Sequence, residues 1–230
     1  MPLYDLHVAR WSTPGVRLGR VVKRGLDVVL AMLLLCLLAP VFALIAVAIK
    51  ATSPGPVFFR QTRLGRGCVP FSILKFRTMA VGAEARLVAD ADAAAHYVEA
   101  GYKVPPGAET RTTRVGGCLR RIALDELPQL VHVVSGRMSL VGPRPVVMPE
   151  IEEYGPWLWA YAATRPGMTG AWQVTGRGRI VYPERALLDA RYVAHWSLRS
   201  DVWILAQTLP AVIRGEGRRE VSPLPVVDPR

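Results

Sequence analysis

The sequence predicts a mostly helical α+β protein with one small β-hairpin, seated on one face of a membrane. Three observations predict this class. Residues 28–49 carry no charge and are interrupted by Pro40. Two β-rich runs, 57–61 and 69–76, flank Gly65-Arg66-Gly67, which predicts a hairpin. The last third of the chain carries apolar residues at helical spacing.

The composition of the 230-residue chain limits the kinds of partner that it can bind, because a formal net charge of +11 accompanies a hydrophobic content of 51%. This combination favours an anionic membrane surface or phosphorylated ligands, and we expect no nucleic-acid partner. The cysteines, Cys36, Cys68 and Cys118, are scattered and form no CxxC pair, which is typical of reduced thiols. The four histidines lack metal-ligand spacing, so a zinc site is not expected.

The uncharged run at 28–49 is long enough to cross roughly 30 Å of hydrocarbon as one helix. Two features favour a helix that enters the membrane, turns at Pro40 and returns. Proline breaks or bends a helix interior. Basic residues flank both ends of the run, and no acidic residue lies between Asp27 and Glu84, so both flanks favour the cytoplasmic face. A single span with a basic tail is the alternative.

The predicted hairpin ends in Lys75-Phe76-Arg77, which is two cations on either side of an aromatic ring. Such a group suits a phosphate clamp, and it equally suits a solvated basic face beside lipid headgroups. The alanine-rich segment 80–100 is predicted to be helical and contains Asp90-Ala91-Asp92, a triplet that is usually solvated surface.

Asp125 and Glu126 stand where a helix is predicted to begin. Asp125 suits the N-cap, Glu126 suits the first turn, and Pro128 is tolerated there because its position needs no intrahelical N–H bond. Free N–H groups and the macrodipole at such an end favour ionised carboxylates that can hold a cation or attack phosphorus. A plain helix cap is the commoner use of such residues.

Two rigid clusters follow the predicted Asp-Glu helix. In the first, Pro143 and Pro145 enclose Arg144 and fix its backbone, which suits a guanidinium that meets a phosphate in one geometry. The second, 165–177, is rich in glycine, which permits close backbone approach to a ligand, and its polar contacts would come from Arg165, Gln173 and Arg177.

Helices are predicted at 183–196 and 200–214. An apolar stripe at helical spacing begins just before the second helix and runs along it, a pattern that suits either a core contact or seating in a membrane interface. Its members are Leu198, Val202, Leu205, Leu209 and Val212.

These motifs, in this order, resemble the bacterial sugar transferase family, the monotopic polyprenyl-phosphate phosphoglycosyltransferases. The resemblance covers about residues 17–215. It is carried by a basic lead-in with Lys23-Arg24 and Asp27, the Pro40 helix, Ser53-Pro54-Gly55-Pro56, Lys75-Phe76-Arg77-Thr78-Met79, the 124–130 segment around Asp125-Glu126, residues 139–145 and residues 165–177. The chain departs from the family at Ala123, where serine or threonine is usual.

The resemblance implies transfer of sugar 1-phosphate from a UDP-sugar to polyprenyl (undecaprenyl) phosphate with release of UMP, initiating polysaccharide or glycoconjugate assembly. Asp125 would be the nucleophile that forms a covalent phosphosugar intermediate, and with Glu126 it would hold Mg²⁺. Substrate-binding roles would fall to Lys75, Arg77, Arg120, Arg144, Pro145, Arg165, Gln173 and Arg177.

The implied organisation is a flexible leader at 1–16, a basic lead-in and re-entrant helix at 17–50, a cytoplasmic catalytic domain at 51–215 and a disordered tail at 216–230. The enzyme would lie on the bacterial inner membrane with its catalytic domain on the cytoplasmic face, in contact with membrane lipids. A homodimer through the apolar helix and a monomer are both compatible with the sequence.

Two other functions compete with this one. A peripheral glycosyltransferase would use Asp90 and Asp92 for metal, move the sugar alone and release UDP. A non-enzymatic membrane adaptor would bind anionic lipid through its basic surface and turn over no nucleotide-sugar.

Overall fold

The computed structural model describes residues 14–83, 89, 112–175 and 180–213. The described part excludes residues 1–13, which are most of the expected leader. It also excludes residues 214–230, which include all of the expected tail. The first helix begins at Pro14, so the last three residues assigned to the leader are helical.

Two consecutive helices form the N-terminal element. Helix α1 covers Pro14–Leu37 and helix α2 covers Ala39–Thr52, with Pro40 in the first turn of α2. The axes bend by 58° at the break. Proline is tolerated in the first turn of a helix but not in its interior. The first helix therefore ends before Leu38, and the second begins at Ala39 with Pro40 in its first turn. Among the described helices no single one is long and apolar enough to cross a membrane, whereas this bent pair passes by length and composition together.

The predicted hairpin is confirmed. Strand β1, Phe58–Leu64, pairs antiparallel with β2, Pro70–Phe76, and a short 3-10 turn, Arg66–Cys68, joins them. Gly67 in that turn has φ 69°, a left-handed conformation that glycine adopts without steric cost.

A second sheet, which the sequence did not predict, pairs two distant segments in parallel: β3, Ser139–Val141, and β4, Gly167–Thr169. The backbones approach so closely that a Cβ on Gly167 would overlap the Gly142 amide. The glycines at 142 and 167 are therefore required by this contact between the two predicted rigid clusters.

The segment around the carboxylate pair differs from the prediction. Helix α3 covers Arg114–Arg121, a 3-10 helix covers Leu124–Gln129, and α4 covers Leu130–Val134. The sequence predicts Asp125 at the N-cap, but that position is Ala123, in a left-handed conformation with φ 55°. Asp125 lies inside the 3-10 helix, so the capping role predicted for it is wrong.

The remaining elements are mostly short until two longer helices end the described chain. A 3-10 segment at Met148–Trp157 leads into α5, Leu158–Ala163, and α6 covers Ala171–Thr175. The predicted C-terminal helices are confirmed as α7, Glu184–Ala194, and α8, Leu198–Ile213.

The main hydrophobic core joins the hairpin, α4, β3 and the C-terminal helices around α1. Its most buried members include Ala31, Ile73, Leu130, Val133, Met138, Val141, Val193 and Ile204. Asp27 fastens α1 to this core, because its carboxylate accepts hydrogen bonds from the Ser139 hydroxyl (2.7 Å) and the Leu140 amide (3.2 Å). The mostly helical α+β class predicted from the sequence is confirmed.

Large apolar side chains nevertheless remain exposed on three helices. On α1 and α2 they include Leu26, Val29, Leu33, Leu37, Leu44 and Val47. On α8 two residues of the predicted stripe are exposed, Val202 at 66% and Leu209 at 64%, whereas Leu205 packs against the core and Ile204 and Asp201 face inward. Large exposed apolar side chains of this kind are typical of surfaces that contact a membrane or a partner.

Candidate active site

A cleft lies between the hairpin and the 3-10 helix that carries Glu126. In this cleft the Glu126 carboxylate is held by two cations. Lys75 Nζ lies 2.9 Å from Glu126 Oε1, and Arg144 Nη2 lies 3.8 Å from the same oxygen. The three side chains come from β2, the 3-10 helix and the loop after β3. The structure thus brings together four residues predicted for the site, Lys75, Glu126, Arg144 and Pro145, in one cleft.

The fold positions these groups through contacts across β2. Side chains alternate along a strand, so Lys75 shares a face with Ile73, which packs in the core. The backbone amide of Leu74 donates a hydrogen bond of 3.0 Å to His132 Nε2 on α4. This bond ties the strand that carries Lys75 to the helix that follows Glu126, and it requires the neutral tautomer with the proton on Nδ1. Burial, with Arg137 and Arg60 nearby, lowers the pKa of His132 and so favours that neutral ring.

The two cations of the cleft respond differently to their surroundings. Burial lowers the pKa of Lys75, and the attraction of Glu126 only partly opposes this effect. Burial would also lower the pKa of Arg144, but Glu126 and Glu150 together raise it above its ordinary value. Arg144 therefore stays charged at any ordinary pH. Lys75 loses its proton more readily in this site than it would in water.

Asp125 is buried beside this cleft, with only 3% of its surface exposed. Its carboxylate lies close enough to attract the charges of Lys75 and Arg144, although burial still leaves the pKa of Lys75 lowered. Among the described residues, no group of three or more histidine, cysteine or acidic side chains could hold a metal ion by itself. A cation here would have two adjacent carboxylates, Asp125 and Glu126, and would need further ligands from a substrate or water.

Several cleft residues were not singled out from the sequence. Arg63, Ile73, Gln129, Gly167 and Met168 line the cleft with the predicted residues. Arg63 is buried, and its guanidinium reaches Gln61 Oε1 (2.7 Å), the Pro145 carbonyl (3.4 Å) and Glu150 Oε2 (3.5 Å). The alternation of side chains along a strand could have predicted this position, because Arg63 lies on the same face of the hairpin as Ile73 and Lys75.

The other predicted site residues lie elsewhere. Arg77 is buried, and it donates to the Ser53 carbonyl and hydroxyl (2.9 and 2.7 Å) and to the Pro54 carbonyl (2.6 Å). Arg120, at the end of α3, donates to the Thr112 hydroxyl. Gln173 lies on α6 with its side-chain oxygen beside Gly170. Arg177, Asp90 and Asp92 lie outside the described residues.

Arg165 lies just before β4 and lines a different pocket. Its Nε donates 2.8 Å to the Gly136 carbonyl, and the pocket is also lined by the second to fourth turns of α1.

The charges around the cleft are of the kind that suits a phosphate group. Two cations flank a pair of adjacent carboxylates, and charge-assisted hydrogen bonds from lysine and arginine are among the stronger contacts to phosphate oxygens. Asp125 is the neighbouring carboxylate, buried beside the cleft, and Glu126 is held by Lys75.

Comparisons with known proteins found one matching family model and several similar sequences. The family model described as bacterial sugar transferase matches residues 18–215. The exopolysaccharide production protein ExoY of Sinorhizobium fredii is 39% identical over 87% of this chain and 89% of its own length. The UDP-glucose:undecaprenyl-phosphate glucose-1-phosphate transferase of Caulobacter vibrioides is 43% identical over 87% of this chain and 74% of its own length. The undecaprenyl-phosphate galactose phosphotransferase of Salmonella typhimurium is 38% identical over 87% of this chain, which spans 42% of that protein.

Proposed function

Because the chain belongs to the bacterial sugar transferase family, we propose that it transfers a sugar 1-phosphate from a UDP-sugar to polyprenyl phosphate and releases UMP. The reaction would take place in the cleft of the catalytic domain, residues 51–215, and would initiate a polysaccharide or glycoconjugate. The observation that carries the proposal is the buried Asp125 beside a Glu126 carboxylate that Lys75 and Arg144 hold in place.

The proposed reaction has two displacements at one phosphorus. In the first, an Asp125 oxygen bonds to the phosphorus that carries the sugar, the bond from that phosphorus to the bridging oxygen breaks, and UMP leaves with that oxygen. In the second, a phosphate oxygen of the polyprenyl phosphate attacks the same phosphorus and Asp125 leaves as a free carboxylate. A covalent intermediate suits these substrates, because each carries negative phosphate and the two would repel each other in a direct transfer.

Lys75 and Arg144 would offset the charge that develops on the phosphoryl oxygens during each displacement. Both are already oriented by Glu126, so little reorganisation would be needed when the substrate arrives. Pro145 fixes the backbone beside Arg144, and Arg63 holds the Pro145 carbonyl.

The proposed cofactor is Mg²⁺. This ion prefers oxygen ligands and is usually held by one or two carboxylates together with substrate phosphates and water. Asp125 and Glu126 supply a donor set of that kind, which fits the finding that the described residues contain no larger cluster of metal ligands. When bound, the ion would neutralise diphosphate charge and make the leaving UMP more stable.

The proposed location is the cytoplasmic face of the bacterial inner membrane, with α1 and α2 entering the lipid and leaving on the same side. The exposed apolar side chains of these helices and their 58° bend support this arrangement. It predicts that cysteines introduced at both chain termini react with an impermeant reagent only after the cytoplasmic side is opened. Reaction of one terminus from the outside would mean a true span.

The reaction is tested by identifying the nucleotide product. Purified protein in nanodiscs is incubated with polyprenyl phosphate, Mg²⁺ and a panel of UDP-sugars. UMP that depends on the lipid and on one donor is expected, and it would identify the sugar. UDP would instead favour sugar transfer by Asp90 and Asp92, and an absence of both products with every donor would favour the membrane adaptor.

A further inference from the structure

A second pocket, separate from the cleft, lies where the second to fourth turns of α1 meet the C-terminal half of the structure. It is lined by Arg20, Lys23, Arg24, Asp27, Ser139, Thr164, Arg165, Tyr192 and Trp196. Four of these side chains are cationic and one is acidic. None of the reaction steps proposed above uses this pocket.

The carboxylates near the pocket are already engaged. Asp27 accepts bonds from Ser139 and Leu140, and Asp201 lies 2.8 Å from Lys23 Nζ and accepts from Tyr192 and Trp196. These two acids face the four cations that line the pocket and Arg66 close by. The pocket therefore keeps an excess of positive charge, which an anion would offset.

The cations differ in what they can offer a ligand. Arg24 already donates to the Val133 and Val134 carbonyls, at 2.6 and 3.0 Å, so it supplies charge but few free donors. Within the described part of the chain, the Arg165 hydrogen bond uses Nε alone, which leaves the two terminal nitrogens for a ligand. The Thr164 hydroxyl also lies in the lining.

Mutual repulsion among the arginines supports the same interpretation. Burial lowers the pKa of Arg20, and Arg66 and Arg165 lower it further. Burial likewise lowers the pKa of Arg165, with Arg24 and Arg66 adding to the effect and Asp27 opposing it. Arginines held this close to one another are typical of sites that receive phosphate.

The position of the pocket indicates where that phosphate would come from. Arg20, Lys23 and Arg24 come just before the apolar part of α1, and exposed side chains of that helix, among them Leu26, Val29 and Leu33, follow within three turns. If α1 enters a membrane, as proposed above, the pocket lies at the level of the lipid headgroups. Trp196 lines the same pocket, and tryptophan is enriched at that depth.

We propose that this pocket is a binding site for the phosphate group of an anionic membrane lipid, held by Arg20, Arg165 and Thr164. The site rests on the proposed membrane seating but not on the chemistry of the cleft. Two lipids could supply the group, a bulk phospholipid such as phosphatidylglycerol or the polyprenyl phosphate acceptor.

The pocket is also joined to the cleft by a short, tightly packed segment. Arg165 lines the pocket, whereas Gly167 and Met168 line the cleft. The Gly167 amide donates 2.7 Å to the Pro143 carbonyl, next to Arg144. A lipid phosphate bound to Arg165 would therefore stabilise the segment on which the cleft is built.

The test compares two variants that remove the same charge from the same helix. Arg20→Gln removes a pocket residue, and Arg17→Gln removes an exposed cation one turn earlier. Each full-length protein, in a neutral detergent, is titrated separately with phosphatidylglycerol, polyprenyl phosphate and zwitterionic phosphatidylcholine, and binding is followed by the shift in Tm. Because the readout is binding, it is independent of turnover in the cleft.

We expect phosphatidylglycerol to raise the Tm of the wild type and of Arg17→Gln, and Arg20→Gln to raise the apparent dissociation constant about fivefold. A selective loss for polyprenyl phosphate alone would also support the site and would make the acceptor its occupant. Equal lipid binding by the two variants would overturn the proposal, because it would mean general attraction to negative charge. If Arg20→Gln does not fold, Thr164→Val decides, and unchanged lipid binding in that variant would overturn the site.

Discussion

The ammonium group of Lys75 and the carboxylate of Glu126 are joined at 2.9 Å across the boundary between the hairpin and the 3-10 helix. Both side chains are largely buried, and Arg144 Nη2 lies 3.8 Å from the same Glu126 oxygen. A buried pair of this kind is a weak source of stability, because desolvation offsets most of the attraction. The pair matters because it holds the Lys75 ammonium group in one position beside Asp125.

Replacing Lys75 tests whether its charge acts in catalysis. We expect Lys75→Met to lower kcat about 10²- to 10³-fold, because one preorganised cation is lost from the phosphate site. Since burial lowers the pKa of Lys75 below 10.5, wild-type activity should fall at an alkaline pH below that value as the ammonium loses its proton. The residual activity of Lys75→Arg should lack this alkaline decline, because guanidinium stays protonated. An identical decline in both proteins would assign it to another group.

Replacing Asp125 tests the proposed nucleophile. Asp125→Asn keeps the size of the side chain but removes the attacking oxygen, so we expect turnover to fall at least about 10³-fold with membrane association unchanged. The phosphosugar adduct should also disappear from the intact-mass spectrum of enzyme incubated with donor alone. Asp90→Asn is the matched control and should retain activity. The opposite pattern, with only Asp90→Asn inactive, would support the peripheral glycosyltransferase.

Arg77 distinguishes a substrate contact from a structural one. Its guanidinium bridges the Ser53 and Pro54 carbonyls, and a Cβ on Gly55 would overlap it. Lysine cannot make this fork, so Arg77→Lys should lower the free energy of unfolding by about 1–3 kcal/mol. The KM for the UDP-sugar should stay the same. A raised KM at unchanged stability would instead support the substrate-binding role predicted for Arg77.

Ala123 stores strain beside the carboxylate pair. Its φ of 55° lies in the left-handed region, where a residue with a Cβ is disfavoured by about 1–2 kcal/mol. Ala123→Gly should therefore raise the free energy of unfolding by up to about 1 kcal/mol, after allowing for the extra freedom of glycine in the unfolded chain. Ala123→Val should act in the opposite direction. Chemical denaturation in detergent checks both, and a destabilised glycine variant would contradict the strain.

Asp189 should make stability depend on pH. It is fully buried, and burial raises its pKa from 3.8 to about 7, although the Tyr154 hydroxyl that donates to it at 2.8 Å opposes the shift. The folded protein holds this proton more tightly than the unfolded chain, so the contribution of Asp189 to stability should fall as pH rises from about 4 to about 7 and then level off.

The variant Asp189→Asn should remove this trend, because an amide does not ionise and can still accept from Tyr154. We expect it to be more stable than the wild type at pH 8, by about 1–3 kcal/mol, and nearly equal to it at pH 4. Tm measured in buffers across that range provides the check. A constant difference at every pH would mean that Asp189 has the same pKa in the folded and the unfolded chain, which would contradict the shift.

The sequence determined those features that depend on neighbours along the chain. The hairpin, the break at Pro40, the two C-terminal helices and the proximity of Asp125 to Glu126 follow from periodicity, proline geometry and adjacency. The family motifs also lie within short segments. For this reason the family, the fold class and four cleft residues could be predicted from the amino-acid sequence alone.

Only the tertiary structure decided what long-range contacts control. The pairing of β3 with β4 joins segments far apart in sequence, and it separates Arg165 from the cleft that Gly167 lines. The position of Asp125 inside a 3-10 helix follows from the left-handed Ala123, a conformation that local propensity disfavours and that packing must impose. Arg63 and the pocket at Arg20 likewise arise where distant elements meet. Local rules fix the elements, whereas the site depends on which elements pack together.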